Sequence, residues 1–326
     1  MILTRAPLRL SFFGGGSDFP EIFTRQPGAV LSTAIDYASY VSLRQPPVGV
    51  FEHPIRLYFE DNERHHTPES IRHPLVRHAL SNHEIDGPID LRSGSDLPSG
   101  LGLGSSSSFT VALLGALETQ AGRPAEAMDL AQRAIELERQ VSNSAVGFQD
   151  QVMVALGGLR RIEFRAEDDI RPEPLPIDDT RIRELEACLL LVLVGGSRPA
   201  PDLERRKLER VERNRDTLRG MVEQVDQACD LLCGGGSLMD LGPMLDTAWR
   251  AKRTLAPGVS TPEIDTLYDT CLEAGALGGK MLGAGAGGFL LLFVPPERAD
   301  AVATAAGRPT LRPRIAQPGF RVLHKS

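Results

Sequence analysis

Cysteine is scarce and poorly placed for cross-linking. The 326-residue chain has four, Cys188, Cys229, Cys233 and Cys271, all in its C-terminal half and none in a CxxC pair. That pattern excludes a dense disulfide framework and favours reduced, buried thiols over a metal site. A basic excess is missing too. With 36 Lys and Arg against 43 Asp and Glu, the net charge is −7. Such a balance speaks against a broad nucleic-acid or anionic-membrane surface, so any recognition of phosphate has to be local. No apolar run approaches the roughly 18 charge-free residues of a membrane span. Met1-Ile-Leu-Thr-Arg-Ala-Pro7 also lacks the charged-then-apolar order of a signal segment. The cytoplasm is therefore the expected compartment, with no nucleic-acid and no membrane partner. No solenoid-type repeat occurs. What remains is 41% hydrophobic and 24% charged, the make-up of an ordinary globular protein long enough for two lobes around a shared cleft.

Leu8–Phe13 reads as a strand ending where Gly14-Gly15-Gly16 must turn, and Ala29–Leu43 is β-rich. A Pro- and His-rich, loop-like stretch runs from Gln45 to about His83, before a short strand at Ile89–Arg92. Helices are predicted over Ser105–Ala121, over Pro124–Val141 with proline in the first turn, and around Ala145–Leu156. The acidic, proline-rich Arg165–Arg181 is the best boundary, separating domains of residues 1–170 and 181–326. Beyond it, Ala187–Val194 and Phe289–Val294 read as strands buried on both faces. Leu203–Leu232, Leu241–Leu255 and Pro262–Ala274 read as helices. Strand blocks mixed with helix blocks predict an α+β fold over a doubly wound parallel sheet.

The most informative segment is Asp96-Leu-Pro-Ser-Gly-Leu-Gly-Leu-Gly-Ser-Ser-Ser-Ser108. Its glycines let backbone N–H groups approach a ligand, and the apolar run from Phe109 puts the serines at a helix N-terminus. Free N–H groups and the positive dipole end make that an anion site suited to a polyphosphate. A glycine-rich turn with serine caps fits the same letters. Gly283, Gly285 and Gly288 spell GxGxxG, but a helix precedes and a strand follows, the reverse of a dinucleotide-binding unit. Gly279-Lys280 is followed by Met281, which rules out a Walker A loop. Glu138 and Asp150 could supply a metal ligand and a carboxylate beside a nucleophilic hydroxyl. On spacing alone, each reads as a solvent-facing helix carboxylate.

Three ordered segments carry a resemblance: Ala6-Pro-Leu-Arg9, Pro98-Ser-Gly-Leu-Gly-Leu-Gly-Ser-Ser106 and Gly279-Lys-Met-Leu-Gly-Ala-Gly-Ala-Gly-Gly288. In order and spacing over essentially the whole chain, they resemble the motifs of the GHMP kinases. Ser11–Phe19, Gly104–Thr110, Gly147–Gln151 and Trp249–Arg253 are most similar to the bacterial D-glycero-D-manno-heptose 7-phosphate kinase branch. The resemblance implies a two-lobed kinase with a ribosomal S5-like N-terminal domain, including a left-handed βαβ unit, and a ferredoxin-like C-terminal domain. It also implies phosphorylation of the anomeric hydroxyl of the heptose 7-phosphate, with ATP and Mg²⁺ as cofactors. ATP would lie over Pro98, Gly100, Gly102, Gly104, Ser105, Ser106 and Ser107, with Gly283, Ala284 and Gly285 closing the site. Ser106 and Glu138 would hold the metal. Arg9 would steady developing charge, and Asp150 would act as base or orient the acceptor hydroxyl. Gly15, Gly16, Asp18 and Arg198 would contact the sugar phosphate.

Departures narrow the reading. Gly14-Gly15-Gly16 stands where galactokinases read Gly-Glu-His, removing one hydroxyl-binding carboxylate. Ser107 and Ser108 replace the family's usual alanines, as in the heptose branch, and Ala286 replaces a commoner glycine. Six of the seven histidines fall between His53 and His83, irregularly spaced as for solvated or substrate-lobe residues. Arg205–Arg215 reads as a salt-bridged helix face. Lys252 and Arg253 join Arg198 as candidate partners of a substrate phosphate, while Lys280 reads as a structural stem under the glycine loop. Another sugar 1-kinase of fucose or galactose type, or a binding protein without transfer activity, are the alternatives. A homodimer is compatible with the sequence.

Overall fold

In the computed structural model, which describes residues 1–59, 61–83, 87–142, 146–195 and 200–326, two long strands organise the first lobe. β1 (Ile2–Phe13) and β2 (Gly28–Arg44) pair antiparallel from Ile2↔Leu43 to Phe13↔Leu31. A short helix α1 (Pro20–Phe23) lies between them. The expected strand Leu8–Phe13 is only the second half of β1. Its alternation sends Leu8, Leu10 and Phe12 into one apolar core, so the intervening Arg9 and Ser11 emerge on the other face.

The Pro- and His-rich stretch is more ordered than its composition implies. It forms β3 (Ile55–Tyr58), β4 (Glu63–His65) and α2 (Pro74–Asn82). β5 (Ile89–Ser95) then pairs parallel with β3 across that helical connection and antiparallel with β2. α3 (Ser105–Gln120), α4 (Ala127–Val141) and α5 (Gln149–Leu156) cover the sheet. Val111, Ala112, Leu113, Leu114, Ala116 and Leu117 are all buried, as an apolar helix demands. The segment read as a boundary is largely a hairpin, β6 (Leu159–Ala166) with β7 (Asp169–Pro174).

The second lobe begins with α6 (Asp179–Ala187), N-capped by Asp178, and the buried strand β8 (Leu189–Gly195). The predicted helix Leu203–Leu232 is two helices, α7 (Ala200–Leu208) and α8 (Val211–Cys233). Arg210, at φ −116° and ψ 16°, breaks the run. The break lets α7 carry Lys207 onto the carbonyl of Ala284 while α8 packs Leu218, Met221 and Val225 inward. α9 (Leu241–Thr254), α10 (Pro262–Glu273), β9 (Gly278–Met281), β10 (Gly288–Phe293), α11 (Ala299–Ala306) and β11 (Thr310–Leu311) follow. The strands form an antiparallel sheet in the order β11-β8-β10-β9. The final strand β12 (Arg321–Lys325) crosses back and pairs with β1.

The lobes share a core. Leu8, Leu10, Leu31 and Ile35 of the first meet Leu191, Val225, Leu245, Leu282 and Phe289 of the second. Cys188, Cys229, Cys233 and Cys271 are all free thiols. Among the described residues, no helix is long and apolar enough to cross a membrane.

Candidate active site

The glycine loop turns through residues that only glycine accommodates cheaply. Gly102 and Gly104 have φ of 78° and 72°, a region costly for side chains. A Cβ on Gly102 would lie 2.8 Å from the Leu282 carbonyl, and one on Gly283 would lie 2.7 Å from the Gly102 Cα. The second and third glycine segments thus touch backbone to backbone, one from each lobe. Phe289 N–H donates to the Leu101 carbonyl at 3.2 Å and fixes the junction. Ala286 adopts a φ of 64° and donates its N–H to the Val259 carbonyl at 2.9 Å. A non-glycine residue there costs about 1 kcal/mol.

Beside this junction lies a cavity of about 340 Å³ that gathers most of the sequence-derived site residues. Arg9 enters from β1, donating Nε to Asp150 Oδ1 at 2.7 Å and Nη2 to Asp150 Oδ2 at 2.6 Å. Its Nη1 donates to the Gly102 carbonyl at 2.5 Å. Asp150 stands in the first turn of α5. Asp18 is buried and accepts from the N–H groups of Gly16 at 2.9 Å and Gln149 at 3.2 Å. Burial, then the nearby Asp150, pushes its carboxyl up to about 6, against those two bonds. A Cβ on Gly147 would come within 2.3 Å of Asp18, so glycine is needed for this approach.

Glu138 reaches in from α4. Its Oε2 accepts from Gln151 Nε2 at 2.9 Å and Ser107 Oγ at 3.2 Å, while Oε1 is buried with no partner in the protein. Burial pushes Glu138 up to about 7. An orphaned, buried carboxylate oxygen beside hydroxyls at a helix N-terminus fits a divalent cation, which would restore the charge. The hydroxyl bonded to Glu138 is that of Ser107, whereas Ser106 is exposed and lines the cavity wall. One helical step of about 100° separates them. Ser11 Oγ, Gln149 Oε1 and Gln151 Oε1 are likewise buried without partners, and all three residues line this cavity.

Gly15, Gly16, Gly100, Gly102, Gly104, Ser105, Ser106, Ser107, Gly283, Ala284 and Gly285 line the same cavity. Pro98 does not. It lines a second cavity of about 870 Å³, which shares Gly100, Ser105 and Ser106 with the first. Arg198 lies outside the described residues. Lys252 lines the first cavity, but Arg253 pairs with Asp265 at 2.7 Å on the outer face of α9. Lys280 also lines it, and Lys207 and Gln149 are lining residues that the sequence did not mark. In the second cavity the unmarked residues are Phe59, His73 and Phe109, whose rings pack with centroids 5.5 to 5.8 Å apart. Phe109 directly follows the four serines, which was the available signal; β3 and α2 bring the other two.

A glycine cradle at a helix N-terminus, a carboxylate held by arginine and a second carboxylate open to metal define a phosphotransferase. The model for the GHMP kinases N terminal domain matches residues 73–158, and that for the GHMP kinases C terminal domain matches residues 221–309. A mevalonate kinase of Methanothermobacter thermautotrophicus is 31% identical over 232 residues, covering 68% of this chain and 69% of that protein. A D-glycero-alpha-D-manno-heptose 7-phosphate kinase of Campylobacter jejuni is 28% identical over 307 residues, covering 91% and 90%. The crystal structure of a D-glycero-D-manno-heptose 1-phosphate kinase from Bacteroides thetaiotaomicron superposes with a TM-score of 0.81 at 20% identity, covering both chains fully. The chain belongs to the GHMP kinases and has their two-lobed α+β fold. It is an ATP-dependent phosphotransferase with a hydroxyl acceptor.

Two expectations follow from this geometry. Gly102→Ala should drive the lobes apart at the loop junction, lowering stability by about 2 kcal/mol or more and raising the KM for ATP. Thermal unfolding and steady-state kinetics check both. For Glu138, the folded state holds a proton up to about 7 against an ordinary value of 4.5, so metal-free stability falls as pH rises through that window. Glu138→Gln removes the penalty. At pH 8 with chelator the variant should exceed the wild type by up to about 3 kcal/mol, and the difference should vanish near pH 4.5. Equal unfolding temperatures at pH 8 would contradict the buried-charge account.

Proposed function

We propose that this kinase transfers the γ-phosphoryl group of ATP to the anomeric hydroxyl of D-glycero-D-manno-heptose 7-phosphate. The product is the 1,7-bisphosphate, a precursor of nucleotide-activated heptose. The observation that carries the reading is the end-to-end likeness to a heptose 7-phosphate kinase. The cavity is consistent with it: Gly15 and Gly16 leave room beside Asp18, Ser11 and Gln149, whose polar atoms suit sugar hydroxyls.

The second cavity, walled by Phe59, His73 and Phe109, suits the nucleotide base. The polyphosphate then runs over the Gly100–Ser106 loop, of which Gly100, Ser105 and Ser106 line both cavities, towards Arg9. Mg²⁺ would be held by Glu138 through its free Oε1, with a hydroxyl of Ser106 or Ser107, and would offset the charge of the phosphates. Arg9 fixes the Asp150 carboxylate in one orientation through two bonds. The acceptor hydroxyl is thereby oriented, and its proton leaves towards Asp150 as its oxygen bonds the γ-phosphorus and the bond to the bridging oxygen breaks, releasing ADP. Arg9 also supplies positive charge to the transferring group.

Asp150→Asn should lower kcat by roughly 100-fold or more while nucleotide binding changes only a few-fold. Near-normal turnover in that variant would remove Asp150 from the transfer step. Acceptor choice is read by ATP consumption with the heptose 7-phosphate, galactose, fucose, mannose and mevalonate. The expected result is a kcat/KM for the heptose phosphate at least about 100-fold above the others, reflecting several fewer polar contacts. Preference for a neutral hexose would replace this reading with that of another sugar 1-kinase.

A further inference from the structure

Three lysines crowd one end of the first cavity. Lys207 on α7, Lys252 on α9 and Lys280 on β9 are 9%, 5% and 4% exposed, and all three line it. Their partners are almost all neutral. Lys252 Nζ donates to the carbonyls of Met281 at 2.8 Å and Gly283 at 2.6 Å, and Lys280 Nζ donates to Phe12 at 2.9 Å. Lys207 Nζ donates to the Ala284 carbonyl at 2.8 Å and to Glu204 at 3.0 Å, the single carboxylate bonded to the group. An ammonium carries three donors. Lys207 and Lys252 each keep one in reserve and Lys280 keeps two.

Such an arrangement is costly without an anion. Burial and mutual repulsion push Lys252 well below its ordinary value and Lys280 down to about 7. The charges acting on Lys280 are Arg9, Lys207 and Asp18, whereas the charge acting on Glu138 is Asp150. None of the three lysines bonds Ser107 or Glu138, so the cluster is separate from the cradle of those two residues. Buried cations persist when an anion offsets their desolvation, and the nucleotide's phosphates already have the helix N-terminus and Arg9.

We infer that Lys207, Lys252 and Lys280 form a subsite for a second phosphate, the one the acceptor already carries, and so select a phosphorylated over a neutral sugar. The inference rests on reading the acceptor as a sugar phosphate. Its test compares the heptose 7-phosphate with the same heptose lacking the phosphate, in the wild type and in Lys207→Gln, Lys252→Gln and the double variant. Circular dichroism and ATP affinity monitor folding. Each single variant should raise the acceptor KM about tenfold or more, as for loss of a charge-assisted bond. The double variant should cut the preference for the phosphorylated acceptor at least about 100-fold, with the ATP KM moving far less. A KM for ATP that rises in step with the acceptor's would assign the lysines to the nucleotide phosphates and overturn the inference. So would an undiminished preference in the double variant, which would leave the sugar-phosphate reading intact. A wild type that favours the unphosphorylated sugar would overturn both readings.

Discussion

Arg9 is the side chain on which the site's geometry depends. Its backbone N–H donates to Leu103 at 3.0 Å, and its guanidinium bonds the Gly102 carbonyl and both oxygens of Asp150. One residue therefore ties a central strand, the glycine loop and the start of α5 together. The arrangement needs a planar fork, because a lysine ammonium cannot span both carboxylate oxygens and the carbonyl in that geometry. It also needs Gly104, where a Cβ would lie 3.0 Å from Arg9 Cγ and 3.3 Å from Asp150 Oδ2. A partly buried pair of this kind adds little net stability. Its contribution is positional.

Around that cross-link the protein tolerates groups a structural core would not. Ser11, Glu138, Gln149 and Gln151 each leave a buried oxygen without a partner in the protein, and Asp18 and Glu138 are pushed towards protonation by burial. Each orphaned polar atom costs about 1–3 kcal/mol. They persist because two extensive apolar cores hold the walls in place, one under α3, α4 and α5 and one between the lobes. A ligand that satisfies these atoms recovers what folding left uncompensated, so the site is organised before anything binds.

Much of this was legible in the sequence, and the exceptions have physical causes. The glycine segments, Arg9, Asp18, Glu138 and Asp150 are named by motif order, and local rules place them: strand alternation for Arg9, a helix start for Asp150. The different surroundings of Ser106 and Ser107 were not legible, since they depend on the rotation of α3 about its axis. Lys207 was hidden in a basic run whose charge pattern reads as a continuous exposed helix. The break at Arg210 turns it inward. Arg253 misled because Lys252, one helical step away, faces the cavity while Arg253 finds Asp265. Phe59 and His73 were out of reach because the parallel pairing of β3 with β5 is a long-range event.

The shared core also constrains how substrates arrive. Leu8, Leu10 and Phe12 of β1 pack with Leu282 and Phe289 of the second lobe, and Lys280 is anchored to the Phe12 carbonyl below the cavity. Above it, Gly102 and Gly283 meet backbone to backbone. A cleft held on both sides in this way does not need to open as a hinge. Its two cavities share Gly100, Ser105 and Ser106, so a ligand spanning both passes over the N-terminus of α3. Arg9, Ser105, Ser106, Ser107 and Asp150 all line the first cavity beside that junction. Glu138 and the three buried lysines line that same cavity without bonding one another, so each keeps polar capacity for a ligand.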